Sequence, residues 1–567
     1  MDKPKIAVFS GATTTIGNSP QLITSNKARE KYGLPPRTNP DGSPMRFDVL
    51  RAQRLARPVT VYVEQFSAHP LERDAAELYA PPDGYLDAKG EFHKERQSPA
   101  DVPVYEVTLR PEDGLYPMPY LARQANGQAW EDDATHEFAP SEQCRQPFYP
   151  DASRIFEEID RFGIGLAGVG NLLSSRADFD FYRTVPAGGY RKGLPAAKRT
   201  DVGEGDIPRE TVGVDFFPYR PFWLVHQPPR AALARVTNMV QRALASGRYA
   251  GAIWLEGSPN VEETTYWLSL LIDTTLPIVG NASQHPHGGM GNDGDANIID
   301  AVDYIVSRVW ADESGRNRGG VVAIQNKQIF ASREVQKGDA RPGGYTVTGG
   351  HGGIVGRISE LFPATPTILT FISTRSHTYK SAVNLRQIPG TVMGVRREGD
   401  KTLPVPVRIK DDRGDLLPEA IPKVTIVKEA YQYGGDAAPI DPSGEDDVQA
   451  RIEKNLRKAP LAGFVGEGMS PYGIMNQDMD AALSRAVFSG MPVVKVGRGN
   501  AEGFTARIPP FLSGNNLTAT KARLLLMACL MKFGSLPAAA DPGKPTQAEF
   551  GATMAKLDEY QAVFDTH

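Results

Sequence analysis

The stretch "GAIWLEGSPNVEETTYWLSLLIDTTLPIVGN" spans Gly251–Asn281. It opens on a short continuous apolar run that closes on glycine, and it ends on another. Between them Glu262 and Glu263 open a helical segment, where carboxylates suit the positive end of the helix dipole. Run, helix and run in this order predict a strand–helix–strand unit of a buried parallel sheet.

Further runs of the same kind extend the pattern. "KIAVFSG" (Lys5–Gly11), "VTVYVEQ" (Val59–Gln65) and "GVVAIQN" (Gly320–Asn326) belong to the first part of the chain. "PKVTIVK" (Pro422–Lys428), "LAGFVGEG" (Leu461–Gly468) and "PVVKVGRG" (Pro492–Gly499) belong to the last. Amphipathic helices fall between them. Leu233, Val236, Val240 and Leu244 share a face before Gly247 closes that helix. Ile298, Ile299, Val302, Ile305, Val306 and Val309 share another, with Asp295 as the expected N-cap, and Asp478–Gly490 forms a third helix. The expected fold is α/β, with mostly parallel sheets in a large N-terminal domain (1–360) and a smaller C-terminal one (421–567). Residues from about 75 to 225 are rich in Pro, Tyr, Arg and Asp, and are expected to form an inserted lobe. Residues 361–420 are expected to be a linker with a hairpin.

Composition narrows the function. The 567 residues are 40% hydrophobic and 23% charged, with a net charge of −4 and scattered Lys and Arg. That argues against a nucleic-acid or anionic-membrane partner. Cys144 and Cys529 form no disulfide framework, so a reducing, cytoplasmic setting is expected. The longest apolar run, "LLLMACLM", is too short to span a bilayer.

In an open α/β sheet, chemistry sits at the carboxyl ends of the strands. After the first strand stand Thr13, Thr14 and Thr15; after "GAIWLEG" stands Ser258. A hydroxyl on a glycine-flanked turn can act as a nucleophile when a base takes its proton. The plainer alternative is a strand end and a turn residue. His285, His287 and Asp293 follow the next strand, but their spacing matches no strong metal-ligand pattern, and no metal is expected. Neither G-x-G-x-x-G after the first strand nor G-x-x-x-x-G-K-[ST] is present, so no nucleotide cofactor is expected.

Taken in series, these segments resemble the bacterial L-asparaginase/glutaminase family. Gly11–Gly17 stands where that family carries T-G-G-T-I-A, and "EGSPNVEET" (Glu256–Thr264) where it carries H-G-T-D-T-L-E-E-T. "VGNASQ" (Val279–Gln284), then Asp293, Gly294, Asn297 and Ala301–Val302, resemble its third motif. "NRGGVV" (Asn317–Val322) and "SREV" (Ser332–Val335) resemble its next strand and turn, and the C-terminal segments follow in order.

The resemblance implies an amidohydrolase acting on a small-molecule amide by a threonine nucleophile and an acyl-enzyme, without a cofactor, in a dimer or tetramer. Aligning on "TIG" makes Thr15 the nucleophile; aligning the strand without gaps makes it Thr14; Thr13 is a third choice. Ser258 matches the family's second Thr, and Glu256 and Gly257 precede it as substrate-binding positions. Pro259 replaces the Asp that binds the substrate's ammonium, which implies a substrate other than free asparagine. Arg308 is the nearest match to the family Lys, although a guanidinium stays protonated. The loop Tyr has no firm counterpart; Lys27 and Tyr32 are near. Two other readings stay open: a ligand-binding relative without turnover, and a true asparaginase/glutaminase.

Overall fold

The computed structural model describes residues 3–11, 173, 175–183 and most of 229–567. The gaps in that last range are 259, 286–290, 348–351, 362–364, 371–380, 400, 429–439, 441–444, 471 and 499–504. Elsewhere it describes 23–25, 41–43, 47–49, 51–54, 59–63, 82–87, 92–109, 115–118, 156 and 159. The chain divides into two compact units. One comprises 1–18, 155–185 and 222–567; the other comprises 19–154 and 186–221.

Among the described residues the first unit holds two larger sheets and two two-stranded ones. The largest begins with β1 (Lys5–Ser10), β2 (Asp178–Arg183), β3 (Gly251–Leu255), β4 (Ile278–Asn281) and β5 (Val321–Gln325). It continues with β6 (Gln328–Ala331) and, after a separate two-stranded ribbon of β7 (Val335–Lys337) and β8 (Tyr345–Val347), with β9 (Ile354–Leu361) and β10 (Thr365–Thr370). Its order is β2-β1-β3-β4-β5-β6-β9-β10. The first five strands run parallel and the last three turn back antiparallel. Helix α1 (Pro229–Ala245) leads into β3, α2 (Asn260–Leu271) joins β3 to β4, and α3 (Gly294–Ser307) joins β4 to β5. All residues of β3, β4 and β5 are buried, as continuous apolar runs between helices require. Gly280 is needed because a Cβ there would meet Thr265 Cγ2 at 2.2 Å, so its absence lets α2 lie close on β4.

After a hairpin of β11 (Thr391–Glu398) and β12 (Lys401–Arg408) comes the second, wholly parallel sheet. Its strands β13 (Lys423–Lys428), β14 (Ala462–Gly468), β15 (Val493–Gly497) and β16 (Leu512–Ser513) stand in sequence order. Helices α4 (Asp446–Lys458), α5 (Gln477–Phe488), α6 (Ala519–Phe533) and α7 (Gln547–Phe564) complete this part. One hydrophobic cluster runs from Trp267 and Leu271 of α2 to Phe464 of β14 and Leu525 of α6, so the helix after the first βαβ step is also packed against the second layer.

The mostly parallel α/β architecture agrees with the sequence reading, and several details correct it. β10 extends the large sheet to Thr370, so 361–420 is not wholly a linker. The second unit starts at residue 19 rather than 75, and 155–185 return to the first unit. "VTVYVEQ" supplies a strand, Val59–Val63, but it pairs antiparallel with Val102–Leu109 and lies in the second unit. Asp293 rather than Asp295 precedes α3, and Val309 lies beyond its end. Among the described residues no helix is long and apolar enough to cross a membrane.

Candidate functional site

Strand order 2-1-3-4-5 has its topological switch between β1 and β3, where crossovers leave to opposite sides and a crevice opens at the carboxyl ends. Here β1 ends at Gly11, whose N–H donates to Leu255 O at 2.8 Å. β3 ends at Glu256, Gly257 and Ser258, whose stretch then turns into α2. The buried Glu256 carboxylate lies against Gly11: a Cβ on that glycine would stand 2.1 Å from Glu256 Oε2. The Gly257 N–H donates to Glu256 Oε1 at 3.2 Å. Thr13, Thr14 and Thr15, which follow Gly11 in the chain, and Pro259 lie outside the described residues, as do Lys27, Tyr32 and His287.

Ser258 is held from two sides. Its Oγ accepts from the Tyr345 hydroxyl at 2.8 Å and donates to Gln284 Oε1 at 3.3 Å. Gln284 follows β4 and is fixed in turn. The Asp293 carboxylate accepts the N–H groups of Gln284 (2.9 Å) and His285 (3.0 Å). Asn297 of α3 donates to Ala282 O at 3.0 Å and Gln325 Oε1 at 2.7 Å, and accepts the Asn326 N–H at 2.9 Å. The D-G-x-x-N pattern therefore ties the loop after β4 to α3 and β5, and so sets where Gln284 meets Ser258. Among the described residues no group of three or more His, Cys, Asp and Glu could hold a metal ion.

Tyr345 comes from the β7–β8 ribbon. It is 5% exposed. Burial pushes its phenol above the usual range, the Ser258 hydrogen bond opposes that, and the carboxylates of Glu262 and Asp293 add to it. The phenol is therefore a donor to Ser258. Lys337 stands directly opposite Tyr345 in the ribbon, so their side chains share one face.

Two helices anchor this ribbon. The Lys337 N–H donates to the Glu262 carboxylate on α2. Lys521 of α6, 1% exposed, donates to the carbonyls of Ser332 (2.8 Å), Arg333 (2.8 Å) and Val335 (2.5 Å). Burial pulls the Lys521 ammonium down and pushes the Glu262 carboxyl up, and each charge counters the other's shift. Three carbonyl acceptors match the three donors of an ammonium.

Arg308 is not brought to the site. α3 starts at the carboxyl ends of the strands and runs back, so its C-cap, Arg308 at φ 58°, lies at the opposite end of the sheet. There its guanidinium sits 5.6 Å from the centre of the Trp310 ring, and the residue is exposed. The lysine placed by the ribbon at Ser258's hydrogen-bonded partner is Lys337 instead. It stands two residues past "SREV", which was the signal available in the sequence. Tyr345, inside "RPGGYTVTGG", gave no such signal.

Comparisons with known proteins agree on one family. Residues 229–343, which include Ser258, Gln284, Lys337 and Asp293, match the model "Asparaginase, N-terminal". The L-asparaginase of Bacillus licheniformis is 33% identical over 105 residues, 18% of this chain and 31% of that protein. The glutaminase-asparaginase of Pseudomonas fluorescens biotype A is 23% identical over 292 residues, 50% of this chain and 64% of the relative. L-asparaginase 2 of Bacillus subtilis (strain 168) is 24% identical over 250 residues, 40% and 64% of the two chains. The matches thus cover less than two thirds of each of these relatives. A crystal structure described as a probable cytoplasmic L-asparaginase from Campylobacter jejuni aligns with 70% of this chain and 93% of its own, at 17% identity and TM-score 0.43. On the family-model match and the curated relatives, residues 229–343 are similar to the N-terminal domain of asparaginases, and the chain resembles that family at a distance.

Proposed function

We propose that the protein is an amidohydrolase that cleaves an amide-type C–N bond through a threonine of the 13–15 run and an acyl-enzyme. The observation that carries this reading is Ser258. Its hydroxyl stands at the β1/β3 switch point, two residues past Glu256, with Tyr345 and Gln284 bonded to it. In the proposed reaction the threonine oxygen attacks the amide carbon as its proton passes to Glu256, the buried carboxylate against Gly11. The C–N bond breaks and the nitrogen leaves with a proton from the Ser258 side. Water then attacks the acyl-enzyme and gives its proton back to the Ser258 side, Glu256 returns the other proton to threonine, and the acid departs. Thr14 and Thr15 remain the two leading positions for the nucleophile.

The proposed substrate is not free asparagine. Pro259 supplies neither charge nor N–H where an α-ammonium would need a carboxylate. Proline at that position also favours a second reading, a relative that binds a ligand without turning it over.

Ammonia release from a panel of primary amides, with and without an α-amino group, tests both. Turnover of amides lacking the ammonium, with L-asparagine left intact, is expected. Turnover of L-asparagine would overturn the substrate argument, and tight binding without ammonia from any amide would favour the non-catalytic reading.

A further inference from the structure

We propose that Tyr345 is the general acid of the reaction, delivering a proton through Ser258 to the nitrogen that leaves the amide. The inference rests on the amidohydrolase reading and adds to it a residue outside the motifs read from the sequence, two positions past the end of the family-model match. Its ground is the asymmetry of the two bonds at Ser258. The Tyr345 hydroxyl donates to Ser258 Oγ at 2.8 Å, a normal length for two hydroxyls. Ser258 gives its own proton to Gln284 Oε1 across 3.3 Å, a long bond and the weaker of the two.

A leaving nitrogen that displaces Gln284 as acceptor would draw the Ser258 proton. Ser258 would then take the Tyr345 proton along the short bond already in place. A serine acting alone would be left as an alkoxide; with Tyr345 behind it, the negative charge passes along the hydrogen bond to the phenol oxygen, where the ring delocalises it. Lys337 stands opposite Tyr345 in the ribbon, on the same face. In the second half the attacking water gives its hydroxide to the acyl carbon and its proton, through Ser258, back to Tyr345. Glu256 returns the threonine proton, so one water is consumed and one amine and one acid are released.

The anchoring of the ribbon suits this task. Lys521 holds the carbonyls of Ser332, Arg333 and Val335, and Glu262 holds the Lys337 N–H. The segment leading into β7, and β7 itself, are thus pinned from two helices, and β8 carries Tyr345 in register with them.

The test compares leaving groups. Tyr345→Phe is assayed on the best primary amide of the panel and on the p-nitrophenyl ester of the same acid. The ester's leaving oxygen departs as an anion and needs no proton. The expected result is a fall in kcat of about a hundredfold or more on the amide with less than about threefold on the ester, the range a general acid supplies. A residue that only supports the fold would slow both substrates together. Equal loss on both, or no loss on either, overturns the inference and leaves the amidohydrolase reading standing. A wild-type enzyme inert on all amides and on the ester removes that reading and the inference with it. Because a misfolded variant would also lose both activities, the wild-type enzyme is measured in heavy water as well. Amide turnover is expected to slow more than ester turnover, which shares the threonine and water proton transfers and lacks only the one to the leaving nitrogen; equal solvent effects on the two overturn the inference.

Discussion

At the scale of single residues, the hydroxyl of Ser258 is the centre of the account. Ser258→Ala is expected to lower amide turnover by about a hundredfold or more, through loss of the group that passes the proton. Steady-state ammonia release checks it, and an undiminished kcat would remove Ser258 from the mechanism. Ser258 was legible in the sequence because a glycine-flanked polar residue after a buried strand stands where such sheets place chemistry. Arg308 was misplaced because similarity of charge was weighed without the direction of its helix. A helix that begins at the site ends about 20 Å away, at 1.5 Å per residue. Asp312 gives a prediction about acid. The Ser314 hydroxyl, then the Arg316 and Ser314 N–H groups and the Arg316 charge, hold its carboxyl down to about 2. Its folded value lies below its unfolded one, so its contribution to stability is present above pH 3.8 and is lost as pH falls towards about 2. Asp312→Asn is therefore expected to be less stable than the wild type at neutral pH, with the difference shrinking along an acid titration of the denaturation midpoint.

At the scale of elements, the strands were legible and the ribbon was not. β3, β4 and β5 are continuous apolar runs bounded by glycine or asparagine, and burial on both faces produces that pattern. β7 and β8 are three residues each and have no apolar run to betray them. Their place is set by long-range contacts, from Lys521 to the carbonyls of residues 332, 333 and 335 and from Glu262 to Lys337. A local sequence pattern cannot carry contacts across so many residues. Lys521→Met would leave three carbonyls and the Glu262 carboxylate without the ammonium. Breaking such a buried charged network costs about 3–5 kcal/mol. Urea denaturation measures this, and a loss below about 1 kcal/mol, that of one ordinary hydrogen bond, would mean the ammonium is not what anchors the ribbon. A smaller effect is expected at α7, where Thr546 and Glu549 form a reciprocal cap. Thr546→Ala is expected to cost about 1 kcal/mol by the same measurement.

At the scale of the whole molecule, the core around the second sheet also takes in one face of α2, the helix between β3 and β4. Trp267 of α2 is fully buried in the cluster that includes Phe464 and Leu525, and its indole N–H donates to Thr237 Oγ1 at 2.8 Å. Trp267→Ala is expected to cost about 3–5 kcal/mol and to lower the stability of both layers together, as one calorimetric transition. Two separated transitions, only one of them shifted, would show that the layers melt independently. The sequence separated an N-terminal and a C-terminal α/β part correctly in kind, because each has its own series of buried strands. It could not show that α2 is buried against the second layer, which depends on which side chains of α2 meet those of α6. The bounds of the second unit were missed for a related reason: Val59–Val63 has the composition of a buried strand, and only its pairing with Val102–Leu109 shows where it belongs. The central claim is covalent catalysis by a threonine of the 13–15 run. Its most direct test is to quench the enzyme during turnover of an amide from the panel and to map the acyl group by peptide mass spectrometry. The account predicts the acyl mass on the peptide that carries Thr13–Thr15; the mass on the Ser258 peptide, or turnover with no adduct at any quench time, would contradict it.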